Sequence, residues 1–275
     1  MINIIRDELN IGAEKPFTII HMTDTHLTGA YEHESEKIKQ EFKARSIIFP
    51  NAEDYCEFVS KLSKENGWPI MHTGDFIDFI SEEALDKAKK YFLENDIFMA
   101  AGNHEFARCV GGDVEDAEYR DTGFKIIKDY FTNNIRADKK EIGGVNFVAL
   151  DNSYGYFEKW QLDYLNEVLK ENKPIVILVH WPLHTERFTR TFIGREGISP
   201  VLCVPESLMV NYPERAKARF TADEITKEVY EIIKNNPLIK AVLTGHEHMD
   251  FTDEIAENKP HLLTGVYSIR IVDIK

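Results

Sequence analysis

The sequence predicts an α/β protein built on buried β-sheet, and three observations carry that prediction. Short apolar runs, such as Ile97-Phe98-Met99-Ala100-Ala101 and Ile175-Val176-Ile177-Leu178-Val179, have strand length and suit a sheet covered on both faces. Between such runs lie stretches with helical spacing, among them Tyr55, Phe58, Val59 and Leu62, which recur at i, i+3, i+4 and i+7. Several apolar runs also end directly in a His, Asp or Asn. That placement matches α/β folds, whose ligand crevice lies outside the carboxyl ends of the strands.

In chain order, Ile2 to Ile11 mixes apolar and polar residues and suits an edge strand before Pro16. Phe17 to Thr23 reads as a strand that runs straight into Asp24. Tyr31 to Arg45 is charged and is expected to be a solvent-exposed helix or an ordered insertion. Asn51 can cap the helix that carries the Tyr55 stripe, and Gly67 closes it. Pro69 to Thr73 is a short strand ending at Gly74-Asp75. Ser81, followed by Glu82 and Glu83, opens a helix with Leu85, Ala88 and Phe92 on one face. Strand 97–101 then leads to Gly102-Asn103-His104-Glu105. Residues 105–121 hold Gly111-Gly112 and six acids against two arginines, and read as a flexible acidic surface loop.

Phe124, Ile127 and Phe131 keep helical spacing, and Gly143-Gly144 mark a turn before the strand Val145 to Leu150. Leu162, Leu165 and Leu169 align on the next helix, and His180 terminates the strand 175–179. From Glu186 to Phe220 the periodicity breaks down, so residues 186–220 read as a long lid or substrate loop. Thr221 and Glu224 read as a capping box for a helix with Ile225, Val229, Ile232 and Ile233 inward. Ala241 to Thr244 leads into Gly245-His246, and residues 261–274 supply closing strands. One domain spanning residues 1–275 is expected, since 43% apolar residues can fill a single sizeable core.

The formal charge of −14 offers no general attraction to a nucleic-acid backbone, so a nucleic-acid polymer is not the expected partner. Cys56, Cys109 and Cys203 are odd in number and far apart, which argues against a disulfide framework or a thiolate metal site and for a reducing compartment. Arg6, Asp7, Glu8 and Glu14 leave no apolar core for a signal peptide, and no apolar run reaches membrane-spanning length. A cytoplasmic protein without membrane attachment is expected.

The candidate chemistry lies in Asp24-Thr25-His26, Gly74-Asp75 with Asp78, Asn103-His104, His180, and Gly245-His246-Glu247-His248. In extended chain, residues i and i+2 point the same way, so Asp24 with His26, and His246 with His248, can each converge on one centre. With Asp75, Asn103 and His180 they supply imidazole, carboxylate and carbonyl donors without sulfur. That set suits divalent Mn, Fe, Zn, Co or Ni, with Mn favoured. Seven ligands exceed the needs of one tetrahedral ion, whereas a bridging carboxylate can serve two ions roughly 3.5–4 Å apart.

At these residues the chain resembles the calcineurin-like metallophosphoesterase family, whose motifs D-x-H, G-D-x-x-D, G-N-H-E/D, a lone His after a strand, and G-H-x-H occur here in order from Asp24 to His248. The resemblance implies two packed mixed β-sheets flanked by helices, a four-layer αββα sandwich. It implies one metal on Asp24, His26, Asp75 and His248, with Asp75 bridging to a second held by Asn103, His180 and His246. It makes His104 the group that contacts phosphate and protonates the leaving oxygen, with Asp78 orienting it. The nucleophile it implies is a metal-bridging hydroxide attacking phosphorus in line.

Departures from subfamily patterns narrow the expectation. Protein Ser/Thr phosphatases of the family carry Arg-Gly where this chain has Phe79-Ile80, and Arg where it has Ala101. Purple acid phosphatases place Tyr where Asp78 stands. The run His21 to Leu27 is more similar to the bacterial class III branch of cyclic-nucleotide and small-molecule phosphodiesterases. The expected substrate is therefore a small phosphorylated molecule such as a nucleotide, cleaved as a diester or a monoester. A nuclease on the same centre and a catalytically silent metal-binding scaffold are the alternatives; the first would need a basic groove, and silent members lack a ligand or the acid histidine.

Among the other histidines, His21 and His72 are expected to be hydrogen-bonded core residues, His184 to face substrate or serve structure, and His33 and His261 to lie at the surface. Arg187, Arg190 or Arg195 could bind the substrate anion, and Glu105 and Glu247 could hydrogen-bond to the site.

Overall fold

A computed structural model of the chain describes residues 2–196 and 200–275. Its strands, in chain order, are β1 (Asn3–Leu9), β2 (Phe17–Met22), β3 (Ile70–His72), β4 (Ile97–Met99), β5 (Ala137–Ile142) and β6 (Val145–Leu150). They continue with β7 (Ile175–Leu178), β8 (Ile239–Thr244), β9 (Phe251–Ala256), β10 (Lys259–Leu263) and β11 (Ser268–Ile274). The helices are α1 (Glu36–Arg45), α2 (Ala52–Asn66), α3 (Glu82–Glu94), α4 (Ala117–Ile127), α5 (Lys159–Leu169), α6 (Glu186–Glu196), α7 (Glu214–Phe220) and α8 (Glu224–Asn235).

Two mixed sheets form, ordered β1-β11-β2-β3-β4 and β5-β6-β7-β8-β10-β9. Strand alternation decides which side chains face which layer. Ile19, Met71, Phe98, Phe147, Ala149, Val176 and Leu178 share the core between the sheets. Their strand neighbours turn outward: Ile20, Ile70, Ile97 and Met99 pack with Tyr55, Val59, Leu85 and Phe92 of α2 and α3. Val148, Ile175, Ile177 and Val242 pack with Leu162 and Leu165 of α5 and Val229 and Ile233 of α8. The result is the αββα sandwich.

Helix ends largely follow the residues expected. Ser81 accepts from Ala84 N, and Gly67 ends α2 at φ +66°. Asn51 sits at the N-cap of α2 but makes no side-chain capping bond. The start of α8 differs: Asp223, not Thr221, accepts from Thr226 N, because the helix begins two residues later than the motif suggested.

Three further expectations need correction. Residues 186–220 are not one open loop: α6 and α7 lie within them, and Phe188, Phe192, Val201, Met209 and Phe220 join Trp181 in an apolar cluster of their own. Residues 197–199 lie outside the described residues. The acidic stretch 105–121 runs into α4, and Asp113 fixes its irregular part by accepting from Arg108 N and Cys109 N and from the Tyr119 hydroxyl. His261 is fully buried, because β10 lies between β8 and β9 and its imidazole meets Thr244 Oγ1 at 3.2 Å.

One buried lysine ties α8 to the sheet. Lys259 Nζ donates to the carbonyls of Ile233 and Lys234 at 2.7 Å and of Asn236 at 3.0 Å, serving acceptors that the last helical turn leaves unmet. Lys259→Met is expected to lower unfolding free energy by about 1–3 kcal/mol in denaturant titration. An unchanged midpoint would show that water replaces the ammonium without loss. Among the described residues no helix is long and apolar enough to cross a membrane.

Candidate metal centre

The residues singled out at the strand ends do meet in one place. Three groups are close enough to hold an ion: Asp24, His26 and His248; His26, Asp75 and His104; and Asp75, His180 and His246. Asp75 is shared. Its Oδ2 lies 3.1 Å from His180 Nε2 and 3.9 Å from His26 Nε2, while its Oδ1 accepts from His104 N at 2.8 Å.

Convergence does not come from extended chain. Asp24, His26, Asp75, His246 and His248 have φ of +49°, +50°, +57°, +77° and +52°, the left-handed region that such residues rarely adopt. Each left-handed residue costs roughly 1–3 kcal/mol and persists only where the surroundings enforce it. His246 and His248 also diverge, one into each outer group. Gly74 is required by close approach: at φ +97°, a Cβ there would lie 2.5 Å from Gly102 N and 2.7 Å from His180 Nδ1, so no other residue fits.

Each imidazole is aimed from behind. His26 Nδ1 meets Asp78 Oδ1 at 2.7 Å, and His180 Nδ1 donates to Thr73 O at 2.7 Å. Their Nε2 atoms are thereby turned inward. His26 Nε2 lies 3.0 Å from His248 Nε2, and His180 Nε2 lies 3.1 Å from His246 Nδ1. Asp24 Oδ2 is occupied by Thr23 Oγ1 and His246 N, whereas its buried Oδ1 has no hydrogen-bond partner. Asn103 Oδ1 is likewise buried and unpartnered. Unpaired buried oxygens beside facing ring nitrogens are costly unless something electron-poor lies between them, and a divalent cation fits that description. The donor set of oxygen and imidazole nitrogen suits a first-row divalent metal.

Electrostatics agree with this reading. Burial opposes charge on His180, but Asp75 and Asp24 outweigh it and push the imidazole up to about 9. Burial opposes charge on His104 too, yet Asp75 and Asp78 raise it to about 10. Asp78 is held well below the usual carboxylate range: against its burial stand bonds from Arg45, His104 and His26.

Sequence reading named Glu105 as a hydrogen-bonding partner of the site and missed three other contributors, Arg45, Phe49 and Asn152. Glu105 is fully buried and accepts from Asp75 N, Phe76 N, Gly102 N and Ile77 N, at 2.7, 2.7, 2.7 and 3.2 Å. It thus binds the Asp75 loop to the Asn103 loop. Its carboxyl is pushed up to about 7 by burial and the neighbouring Asp75 charge, against the pull of those amides. Arg45, at the end of the charged helix α1, grips Asp78 with Nε and Nη2 at 2.6 and 2.8 Å. Phe49 stacks on His26, with ring centroids 4.0 Å apart. Asn152 is the third: its Oδ1 accepts from His180 N and Trp181 N, both at 3.0 Å, fixing the backbone that carries the His180 imidazole.

Other candidates fall outside the cluster. His21 lies between Thr73 and Thr264 hydroxyls, and His72 accepts from Gly74 N while its Nε2 meets Thr25 Oγ1; both are core residues. His184 meets Thr189 Oγ1 at 2.7 Å and serves local structure, and His33 is exposed beside Glu82. Arg187 leans on Phe251 and Asp253, and Arg190 pairs with Glu186, both largely exposed. The side chain of Arg195 lies outside the described residues. Glu247 is buried.

Comparison with known proteins follows the same line. Residues 17–250 match the model of the calcineurin-like phosphoesterases. A dimetal phosphatase from Danio rerio is similar in fold, with TM-score 0.53 and 14% identity over 91% of this chain and 88% of that one. A phosphopantetheinyl hydrolase from Mycobacterium tuberculosis has TM-score 0.46 and 12% identity over 91% and 90% of the two chains. A 5′-nucleotidase from Candida albicans has TM-score 0.47 and 13% identity, over 97% of this chain and 47% of that one. A search of curated protein sequences gave no match.

Proposed function

The chain belongs to the calcineurin-like phosphoesterase family and is a phosphoester hydrolase, and from that premise we propose that it cleaves small phosphodiesters or phosphomonoesters at a two-metal centre. The observation that carries the reading is the position of Asp75 Oδ2 between His26 Nε2 and His180 Nε2, with a group of possible ligands on either side. In this reading Asp24, His26, Asp75 and His248 hold one ion, and Asp75, Asn103, His180 and His246 hold the other. Manganese is the ion we favour. When bound, the ions lower the pKa of water towards about 7 and offset phosphoryl charge.

The chain's own residues do the rest. Water, after losing one proton to solvent, supplies the nucleophile; its oxygen forms a bond to phosphorus as the bond from phosphorus to the leaving oxygen breaks. His104 Nδ1 donates to Asp78 O at 2.7 Å, so Nε2 remains to give its proton to that leaving oxygen. Asp78, gripped by Arg45, keeps both His104 and His26 oriented. No covalent enzyme intermediate is required.

A small substrate is favoured over a nucleic-acid polymer by the charge of −14. All seven proposed ligands and His104 are present, which favours an enzyme over a silent scaffold. Three unpaired cysteines agree with work in the reducing cytoplasm.

The test compares hydrolysis of an aryl phosphodiester, an aryl phosphomonoester and an alkyl phosphomonoester by manganese-loaded protein and by His104→Ala. We expect turnover of at least one ester, reduced by about 10²–10⁴-fold in the variant. The loss should be smaller for nitrophenolate, a good leaving group, than for an alkyl alkoxide, which needs the proton. Equal activity of variant and parent on an alkyl ester would remove His104 from the mechanism.

A further inference from the structure

The two proposed ion positions are supported by different parts of the fold. Resting on the two-metal reading above, we propose that Arg45 and Phe49 are positioning residues for one ion alone, the one on Asp24, His26, Asp75 and His248, and that docking of the arm that carries them, residues 36–50, is coupled to that ion's occupancy.

The other position is aimed by the sheets. His180 Nδ1 donates to Thr73 O, a carbonyl directly after β3, and Asn152, just beyond β6, accepts from His180 N. Trp181, 1% exposed, stacks on His246 with ring centroids 4.6 Å apart. These supports belong to the core.

The first position leans on the arm instead. Behind His26 stands the Asp78 carboxylate, 2.7 Å from Nδ1, and Arg45 fixes that carboxylate by donating to both of its oxygens. Phe49 lies flat on the His26 ring, with 10° between the planes, and meets the His248 ring edge-on at 5.8 Å. Both imidazoles of this position thus touch one arm residue. His104, which lies 3.2 Å from Asp78 Oδ1, makes its shorter bond, 2.7 Å, to the backbone carbonyl of Asp78 and so depends less on Arg45.

The arm itself is lightly held. Helix α1 buries no residue, and Ile47 and Ile48, between the two positioning residues, are 74% and 56% exposed. Glu41 accepts from Val110 N at 3.2 Å, and Arg45 and Phe49 then make the contacts to the metal loops. A segment with so little buried surface opens at low cost, so those contacts weigh heavily in closing it. Removing the group that supports a metal-binding imidazole typically weakens the metal by about 10–100-fold. Coupling of this kind is reciprocal: an ion that needs the arm also holds it down.

Charge and aim can be separated. Removing the Arg45 cation strengthens attraction for a metal at both positions, whereas loss of aim acts at one. Phe49 is neutral, so Phe49→Leu reads aim alone. For Arg45→Ala the ratio of the two affinities is the quantity to follow, and it should move in the same direction.

Calorimetric titration of chelator-stripped protein with manganese should resolve two ions in the parent. We expect Phe49→Leu to weaken one of them by about tenfold or more and to leave the other unchanged, and Phe49→Tyr, which keeps the ring, to retain the parent's binding. Two backgrounds identify the ion. With His248→Ala the remaining tight ion should ignore Phe49→Leu, and with Asn103→Ala the remaining ion should be weakened by it. Circular dichroism on the same samples checks the fold of each variant. Reciprocity gives a second readout: tryptic cleavage of the native protein at exposed Lys43 should slow when manganese is added, and slow less in His248→Ala. Weakening of both ions alike or of neither, or cleavage indifferent to manganese in a parent that binds two ions, overturns the proposal and leaves the two-metal reading intact. A parent that binds no manganese fails that reading itself, and the proposal with it.

Discussion

Asp75→Asn is expected to lower kcat/KM for any phosphoester substrate by at least about 10³-fold and to cut bound metal from two ions per chain to one or none. The substitution is nearly isosteric, and the amide oxygen can still accept from His104 N, as Asp75 Oδ1 does at 2.8 Å. What it removes is the negative oxygen between His26 and His180. A neutral amide cannot join two cations, and its NH₂ would project donors toward them. The fold should survive, because the backbone of residue 75 remains held by Glu105 Oε2 at 2.7 Å. Metal analysis and circular dichroism on the same sample separate the two effects. An Asn variant that keeps two ions and activity within tenfold would show that Asp75 is not the shared ligand.

Glu105→Ala is expected to cost about 3–5 kcal/mol of stability and most of the activity. Four backbone N–H groups, those of residues 75, 76, 77 and 102, lose their acceptor in a site that excludes solvent. The Asp75 and Asn103 loops are then released from one another, and ligand positions tolerate little displacement. Glu105→Gln is the informative partner. Its amide keeps one acceptor oxygen but turns a donor toward backbone donors, so its cost should fall between those of parent and Ala. Denaturant titration of the metal-free proteins reads the stability effect directly. If Glu105→Ala unfolds at the parent's midpoint, the clamp is not a structural element.

Much of this molecule was legible in the chain because its signals are local. Ile175 to Val179 and Val145 to Leu150 could only be buried strands, and His180 at the end of one had to emerge at the sheet's ligand edge. Motif order likewise named the residues that gather around Asp75. The way they gather was not legible. Left-handed φ at Asp24, His26, His246 and His248 is imposed by tertiary contacts, such as His246 N on Asp24 Oδ2, which no spacing rule encodes. Arg45 lay in a helix with no buried residue, and only the fold brings it to Asp78, 33 positions away. Asn152 sat in a short polar stretch after a strand, and only the fold brings its Oδ1 to His180 N and Trp181 N. His261 misled for the opposite reason: it was expected at the surface, but a buried strand can hide a histidine whose partner, Thr244, comes from the neighbouring strand.

The central claim is that hydrolysis depends on two ions sharing Asp75. The most direct measurement is a manganese titration of chelator-stripped protein, with bound metal and aryl ester turnover followed on the same samples. The account predicts two ions per chain, with turnover rising as the second ion binds and vanishing on chelation. Full turnover at one ion per chain, or none at two, would contradict it.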